Sequence, residues 1–170
     1  MRNLKTKWFS IFITMDKIKN FFKFLEDKEG KEPPLKWKLL HDPDSITSED
    51  LNFVGFLDLR NTRITSLPEG LTIDGDLSLV RTKITSLPNN LTVGRSLFVS
   101  GTKITSLPDN LKIGDTLYID DTKISSIPNN LEIGRSFWLY RTPLSQKYSE
   151  EQIRKMIQDK GGHTTGKIIM

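Results

Sequence analysis

Phe98, Tyr118 and Trp138 recur at 20-residue steps, and Tyr140 follows two positions after the last of them. Large aromatics in register are adhesive groups, because each carries much apolar area at low entropic cost and anchors interfaces. They read as anchors for a protein partner. Two structural alternatives stand beside that reading. C-terminal residues could fold over them, or they could serve only as cross-strand neighbours within a sheet. A second column, Arg63, Lys83, Lys103 and Lys123, offers cations to an anion. Its favoured reading is a solvated face copied along with the repeat, and the alternative is a stripe that tracks phosphates. Nucleic acid is not an expected partner, because acids elsewhere leave the repeats neutral.

Residue types suited to catalysis are sparse. The chain has no cysteine, which excludes disulfides, thiol nucleophiles and cysteine-ligated metals. Its two histidines, His41 and His163, have no metal-spaced neighbour, and His163 reads as a solvent-facing tail residue. Asp120 and Asp121 are adjacent and read as solvated acids at a turn. No Gly-x-Ser-x-Gly, phosphate-binding glycine loop or His-Glu-x-x-His occurs. The expectation is a chain that is not an enzyme and needs no cofactor or metal.

What must position the two columns is a repeat of 20 residues. Leu57, Leu77, Leu97, Leu117 and Phe137 form one apolar column, and Leu59, Leu79, Val99, Ile119 and Leu139 the next. Ile64, Ile84, Ile104, Ile124 and Leu144 follow, then Leu67, Leu87, Leu107 and Ile127, each of the last set preceding a proline. Leu71, Leu91, Leu111 and Leu131 pair with Ile73, Val93, Ile113 and Ile133. No single repeat can bury so many apolar side chains, so stacked repeats must share one core. The Leu-x-Leu pair alternates and predicts a short strand with both leucines inward. Proline sets one corner, and Gly94, Gly114 and Gly134 permit a second. The unbroken column Thr62, Thr82, Thr102, Thr122 and Thr142 reads as structural, each hydroxyl serving buried backbone of the next coil. An exposed threonine ladder for binding is the alternative.

The pattern Leu-x-Val-x-x-Thr-x-Ile-x-x-Leu-Pro-x-x-Leu, seen from Leu97 to Leu111, resembles a leucine-rich repeat. It is most similar to the short proline-containing repeats of bacterial effectors and of phage and bacterial repeat proteins. Threonine stands where the family's ladder has asparagine, and glycine often stands where the first leucine would be. The resemblance implies a curved, right-handed solenoid whose strand face binds. Some similar effectors carry a cysteine-dependent ubiquitin ligase domain. This chain has no cysteine, so that activity does not carry over.

Open solenoids need caps. Trp37, Leu39, Leu51 and Phe53 fall in register with Leu57, Leu59, Leu71 and Ile73, so residues 35–56 read as a degenerate zeroth repeat. Ser149-x-x-Gln152 is a capping-box signature, and Ile153, Met156 and Ile157 give an apolar face, predicting a helix near 150–160 stopped at Gly161-Gly162. The tail from His163 adds a short strand or stays loose. At the other end, Leu4, Trp8, Ile11, Met15, Ile18, Phe22 and Leu25 keep heptad spacing on one helical face. That helix reads as a dimerisation or partner element, as a cap on its own solenoid, or as a basic amphipathic helix on an anionic membrane. Residues 1–31 hold eight basic and four acidic side chains, which accounts for the whole net charge of +4. No signal peptide is convincing, and Met15 offers an alternative start.

The fold class expected is an α+β repeat protein: a short leucine-rich-type solenoid with a parallel strand face, an N-terminal amphipathic helix and a C-terminal capping helix. Its segments are a basic helical stretch (1–31), a linker and cap repeat (32–56), the repeats (57–144), and a capping helix with tail (145–170). The function expected is non-catalytic protein–protein interaction in the cytoplasm. Candidate partner-binding residues are Phe98, Tyr118, Trp138 and Tyr140. Candidate helix-interface residues are Trp8, Ile11, Met15, Ile18, Phe22 and Leu25. A homo-oligomer through the helix and a membrane surface are the further partner readings.

Overall fold

The computed structural model describes residues 16–22 and 34–170. The 20-residue period winds the chain into four full coils with a partial coil at each end. Every coil contributes two short strands, and each set forms a six-stranded parallel sheet. Sheet 1 runs β1 (Asn52–Phe53), β3 (Thr72–Ile73), β5 (Thr92–Val93), β7 (Lys112–Ile113), β9 (Glu132–Ile133) and β11 (His163–Thr164). Sheet 2 runs β2 (Leu57–Asp58), β4 (Leu77–Ser78), β6 (Leu97–Phe98), β8 (Leu117–Tyr118), β10 (Phe137–Trp138) and β12 (Ile168–Ile169). The sequence had singled out only the Leu-x-Leu strands of sheet 2. The Leu71-x-Ile73 alternation is too short to separate a strand from a turn, so sheet 1 had been seen only as core columns.

Register follows the repeat: Leu77 pairs with Leu97 and Leu97 with Leu117 in sheet 2, as Ile73 pairs with Val93 and Val93 with Ile113 in sheet 1. Identical columns therefore stack, and the leucines and isoleucines of all coils close into one buried core. Strands of two residues are held by their neighbours rather than by their own length. Leu79 N–H donates to the Phe98 carbonyl at 2.8 Å, and Gly94 N–H to the Ile73 carbonyl at 2.7 Å. The third side of each coil is extended and more sparsely tied, for example by Lys83 N–H to the Ile64 carbonyl at 3.2 Å.

Two details correct the sequence reading of the turns. Each threonine hydroxyl serves its own coil, not the next: Thr82, Thr102 and Thr122 donate to the carbonyls of Leu79, Val99 and Ile119, each at 2.7 Å. The same carbonyls of Leu79 and Val99 also accept the threonine N–H, so the hydroxyl closes a tight turn three residues back. The glycine column does not turn a corner by a special dihedral. A Cβ on Gly94, Gly114 or Gly134 would overlap the backbone carbonyl of the coil before, at Asp74, Gly94 and Gly114 respectively. Glycine is there because two backbones pass in contact.

The N-terminal cap departs from the expected zeroth repeat. Only its second half, β1, keeps register with the coils, pairing Phe53 with Ile73. The stretch holding Trp37 and Leu39 is a helix, α1 (Leu35–His41), with Leu35 and Leu39 one turn apart and buried against the first coil. Charge is buried here as well. Lys38, 2% exposed, reaches the Asp50 carboxylate at 2.7 Å. Asp50 also accepts the Thr47 N–H at 2.8 Å and its hydroxyl at 3.1 Å. Desolvation works against the Asp50 charge, but the Lys38 and Thr47 hydrogen bonds outweigh it and hold the carboxyl below the usual range.

At the other end, α2 (Pro143–Lys147) and α3 (Glu150–Asp159) each begin with a reciprocal capping box, Thr142 with Ser145 and Ser149 with Gln152. The α3 cap is the one the sequence predicts, and Ile153 and Ile157 bury its apolar face. The tail beyond it forms β11 and β12, which take the outer edge of both sheets.

Candidate functional site: the outward face of sheet 2

Alternation within each sheet 2 strand turns the leucine inward and its neighbour outward. In-register pairing then stacks the outward residues: Phe98 opposite Tyr118, and Tyr118 opposite Trp138. The rings of Phe98 and Tyr118 lie 4.6 Å apart at 9°, and those of Tyr118 and Trp138 5.8 Å apart at 22°. The column is polar at its N-terminal end. There Asp58 takes two hydrogen bonds from the Arg60 guanidinium, at 2.9 and 2.8 Å. Those bonds draw the Asp58 carboxyl down to about 2.

The aromatic end is open. Trp138 is 37% exposed and Tyr140 52%, while Phe98 and Tyr118 are half-buried. The tail does not fold across them. It joins the sheet edge-on, with Ile169 opposite Trp138. The stacked rings also bridge neighbouring coils, as cross-strand neighbours do.

Ring orientation decides what this face can do. Stacking along the solenoid axis uses the ring faces of Phe98 and Tyr118 against each other, which leaves their edges outward. The two ring surfaces that face each other are therefore closed to stacking by a ligand. Edges, the Tyr118 and Tyr140 hydroxyls and the exposed flank of Trp138 suit apolar and polar side chains of a protein. Tyr140 is set beside a charged rim. Its N–H donates to Asp120 at 2.9 Å, the Arg141 guanidinium lies 5.0 Å from its ring centroid, and Arg141 pairs with Asp121 at 3.6 Å. Asp120 and Asp121 are therefore ladder partners between coils rather than loose loop acids. No family model, curated protein or solved structure matches the chain. What the face does must be read from its geometry.

The other sequence candidates fall elsewhere. Of the helix-interface residues, Trp8, Ile11, Met15 and Leu25 lie outside the described residues. Ile18 and Phe22 are half-buried on the helical turns of 16–22, whose other residues are exposed. Phe22 meets Trp37 of α1 at 4.8 Å, and Lys19 pairs with Asp42 at 3.5 Å. The heptad face thus meets the N-terminal cap over these residues. The column from Arg63 to Lys123 is exposed on the third side of the coils, around a corner from the aromatics.

A groove of about 690 Å3 beside α1, lined in part by Leu40, Pro43, Ile46, Leu67 and Arg63, had no signal in the sequence. It exists because α1 replaces the strand that register alone would place there. Among the described residues no cluster of three or more histidines, aspartates or glutamates is placed to hold a metal. Among them, too, no helix is long and apolar enough to cross a membrane.

Proposed function

We propose that this chain is a non-catalytic protein–protein interaction module of the leucine-rich type, acting inside the cell and holding its partner on the outward face of sheet 2. One observation carries the reading. Three stacked aromatics end in Trp138 and Tyr140, which stay uncovered although the tail passes next to them. A rigid scaffold with an apolar centre and a charged rim of Arg141 and Asp121 has the anatomy of a recognition surface. Rings already locked by stacking lose little entropy on binding.

The experiment replaces Trp138 and Tyr140 together by alanine in the full chain and compares quantitative partner capture with wild type. Capture is expected to fall at least about tenfold, typical of losing aromatic anchors. The thermal unfolding temperature should drop modestly, because Trp138 also stacks on Tyr118, while the buried core is untouched and the variant stays folded. Capture that is unchanged in a folded variant removes the reading.

The second reading is a peripheral membrane or assembly component anchored by the N-terminal helix. It draws on Phe21, 56% exposed among exposed Lys17 and Lys19 while Phe22 faces the cap. Co-sedimentation of the full chain with phosphatidylserine-containing vesicles tests it, and no pelleting ends it.

A further inference from the structure

Some charged side chains on this solenoid are answered by a neighbouring group, while others, such as Arg81, Arg95, Lys155 and Lys167, have no carboxylate within 4.0 Å among the described residues. Lys112 pairs with Glu132, Arg135 with Asp115 and Arg141 with Asp121, each one coil apart. Asp58 pairs with Arg60, and Asp109 accepts hydrogen bonds from Asn129 one coil on. The column Arg63, Lys83, Lys103 and Lys123 differs in repeating the same unanswered cation in four successive coils. All four are exposed, and among the described residues no carboxylate lies within 4.0 Å of any of them. Successive coils are about 4.8 Å apart, so like charges stack directly over one another, an arrangement that costs stability. Exposed hydroxyls of Thr85, Ser86, Thr105 and Ser106 flank the column and add donors without countercharge.

We propose that this column docks a helical, acidic segment of a protein partner laid along the solenoid axis. The spacing selects the helix. Three coil steps span about 14 Å. Carboxylates at i, i+3, i+7 and i+10 of an α-helix span about 15 Å on one face. Same-face carboxylates of an extended strand would need about 20 Å for the same four charges. Nucleic acid fits less well, because residues 32–170 hold 17 basic and 17 acidic side chains and present no broad positive field. The column is separate from the aromatic face, so its failure and that of the sheet 2 reading are distinguishable: Trp138 and Tyr140 variants leave it whole.

The test uses the full chain and Lys103→Glu, with the neutral Lys103→Gln beside it. The probes are a helical alanine-rich peptide carrying glutamate at i, i+3, i+7 and i+10, and mixed-sequence single-stranded DNA, each at low salt. Lys103→Glu sets an acid between Lys83 and Lys123, so its Tm is expected to equal or exceed wild type. Its affinity for the peptide is expected to drop about fivefold, with Lys103→Gln in between. The basic N-terminal stretch is the same in all three proteins, so a graded loss belongs to the column. Absent peptide binding, affinity indifferent to Lys103, or DNA bound more tightly than the peptide through the same residue would each overturn the proposal.

Discussion

Replacing Asp50 by alanine is expected to cost the fold about 3 kcal/mol, the scale for losing charge-assisted hydrogen bonds to Lys38 and Thr47. The Lys38 ammonium is almost fully enclosed under α1, and the Asp50 carboxylate reaches it at 2.7 Å. The same carboxylate holds the Thr47 N–H and hydroxyl, so alanine also loosens the turn that leads into β1. Lys38→Met in the Asp50→Ala background should recover part of the loss, since an apolar chain of similar length carries no charge to desolvate. Urea unfolding of the two single variants and the double closes that cycle. The pH dependence has a definite sign. The folded carboxyl titrates below its unfolded value, so its contribution is complete above about pH 4 and disappears as pH falls through the lower folded value. The gap between wild type and Asp50→Ala should be flat from neutral pH to about pH 5 and should narrow only in stronger acid. A gap that closes between pH 7 and 5 would assign the loss to some other group.

Gly114→Ala should be comparably damaging, at about 3 kcal/mol. The added methyl meets the Gly94 carbonyl, a backbone atom that cannot swing aside. Relief requires coils to part along sheet 1, which stretches hydrogen bonds such as Gly114 N–H to the Val93 carbonyl at 2.9 Å. Gly101→Ala is the contrast. Gly101 has φ +68°, but its nearest neighbour to a new methyl is Arg81 Cγ at 3.7 Å. Equivalent turns in other coils hold Asn61, Arg81, Asp121 and Arg141 at φ between 54° and 58°. A left-handed alanine there should cost about 1 kcal/mol. Equal effects at the two glycines would mean that backbone freedom, and not coil contact, fixes the column.

This contrast shows which parts of the fold were legible in the residues. Period alone placed Leu77 on Leu97 and Phe98 on Tyr118, because a repeat that copies its apolar columns can bury them only by stacking in register. Ser149 and Gln152 announced α3 through local capping chemistry that needs no tertiary context. What period could not give was the reason for each small residue. Gly114 recurs in a column and Gly101 does not, yet the sequence does not say that the column answers to a carbonyl from 20 residues earlier while Gly101 has open space around it. Thr102 was assigned to the wrong coil for the same cause, since a hydroxyl three residues from its acceptor and one reaching across the stack leave the same column.

The cap was harder still. Leu39 satisfies both patterns, pairing with Trp37 in the two-residue alternation of a strand and with Leu35 on the face of a short helix. Pro34 interrupts continued strand pairing just before the helix, whose turns also bury Lys38. At the candidate site Phe98, Tyr118 and Trp138 were readable as a column with Tyr140 beside it, but their ring orientation was not. Stacking sets the Phe98 and Tyr118 rings face to face, an arrangement the spacing of the residues does not specify. The openness of Trp138 depends on where the tail goes, and only the pairing of Ile169 with Trp138 places it at the sheet edge.

The central claim is that a partner covers sheet 2 at Trp138 and Tyr140. Its most direct test is oxidative footprinting of the full chain, free and in its captured complex, with labelling read residue by residue. Labelling of Trp138 and Tyr140 is expected to fall several-fold on capture, while that of Phe56, an exposed apolar residue near the N-terminal cap, stays as in the free chain. Equal labelling of Trp138 in both states would contradict the claim and leave the aromatic column as a device that only holds the coils together.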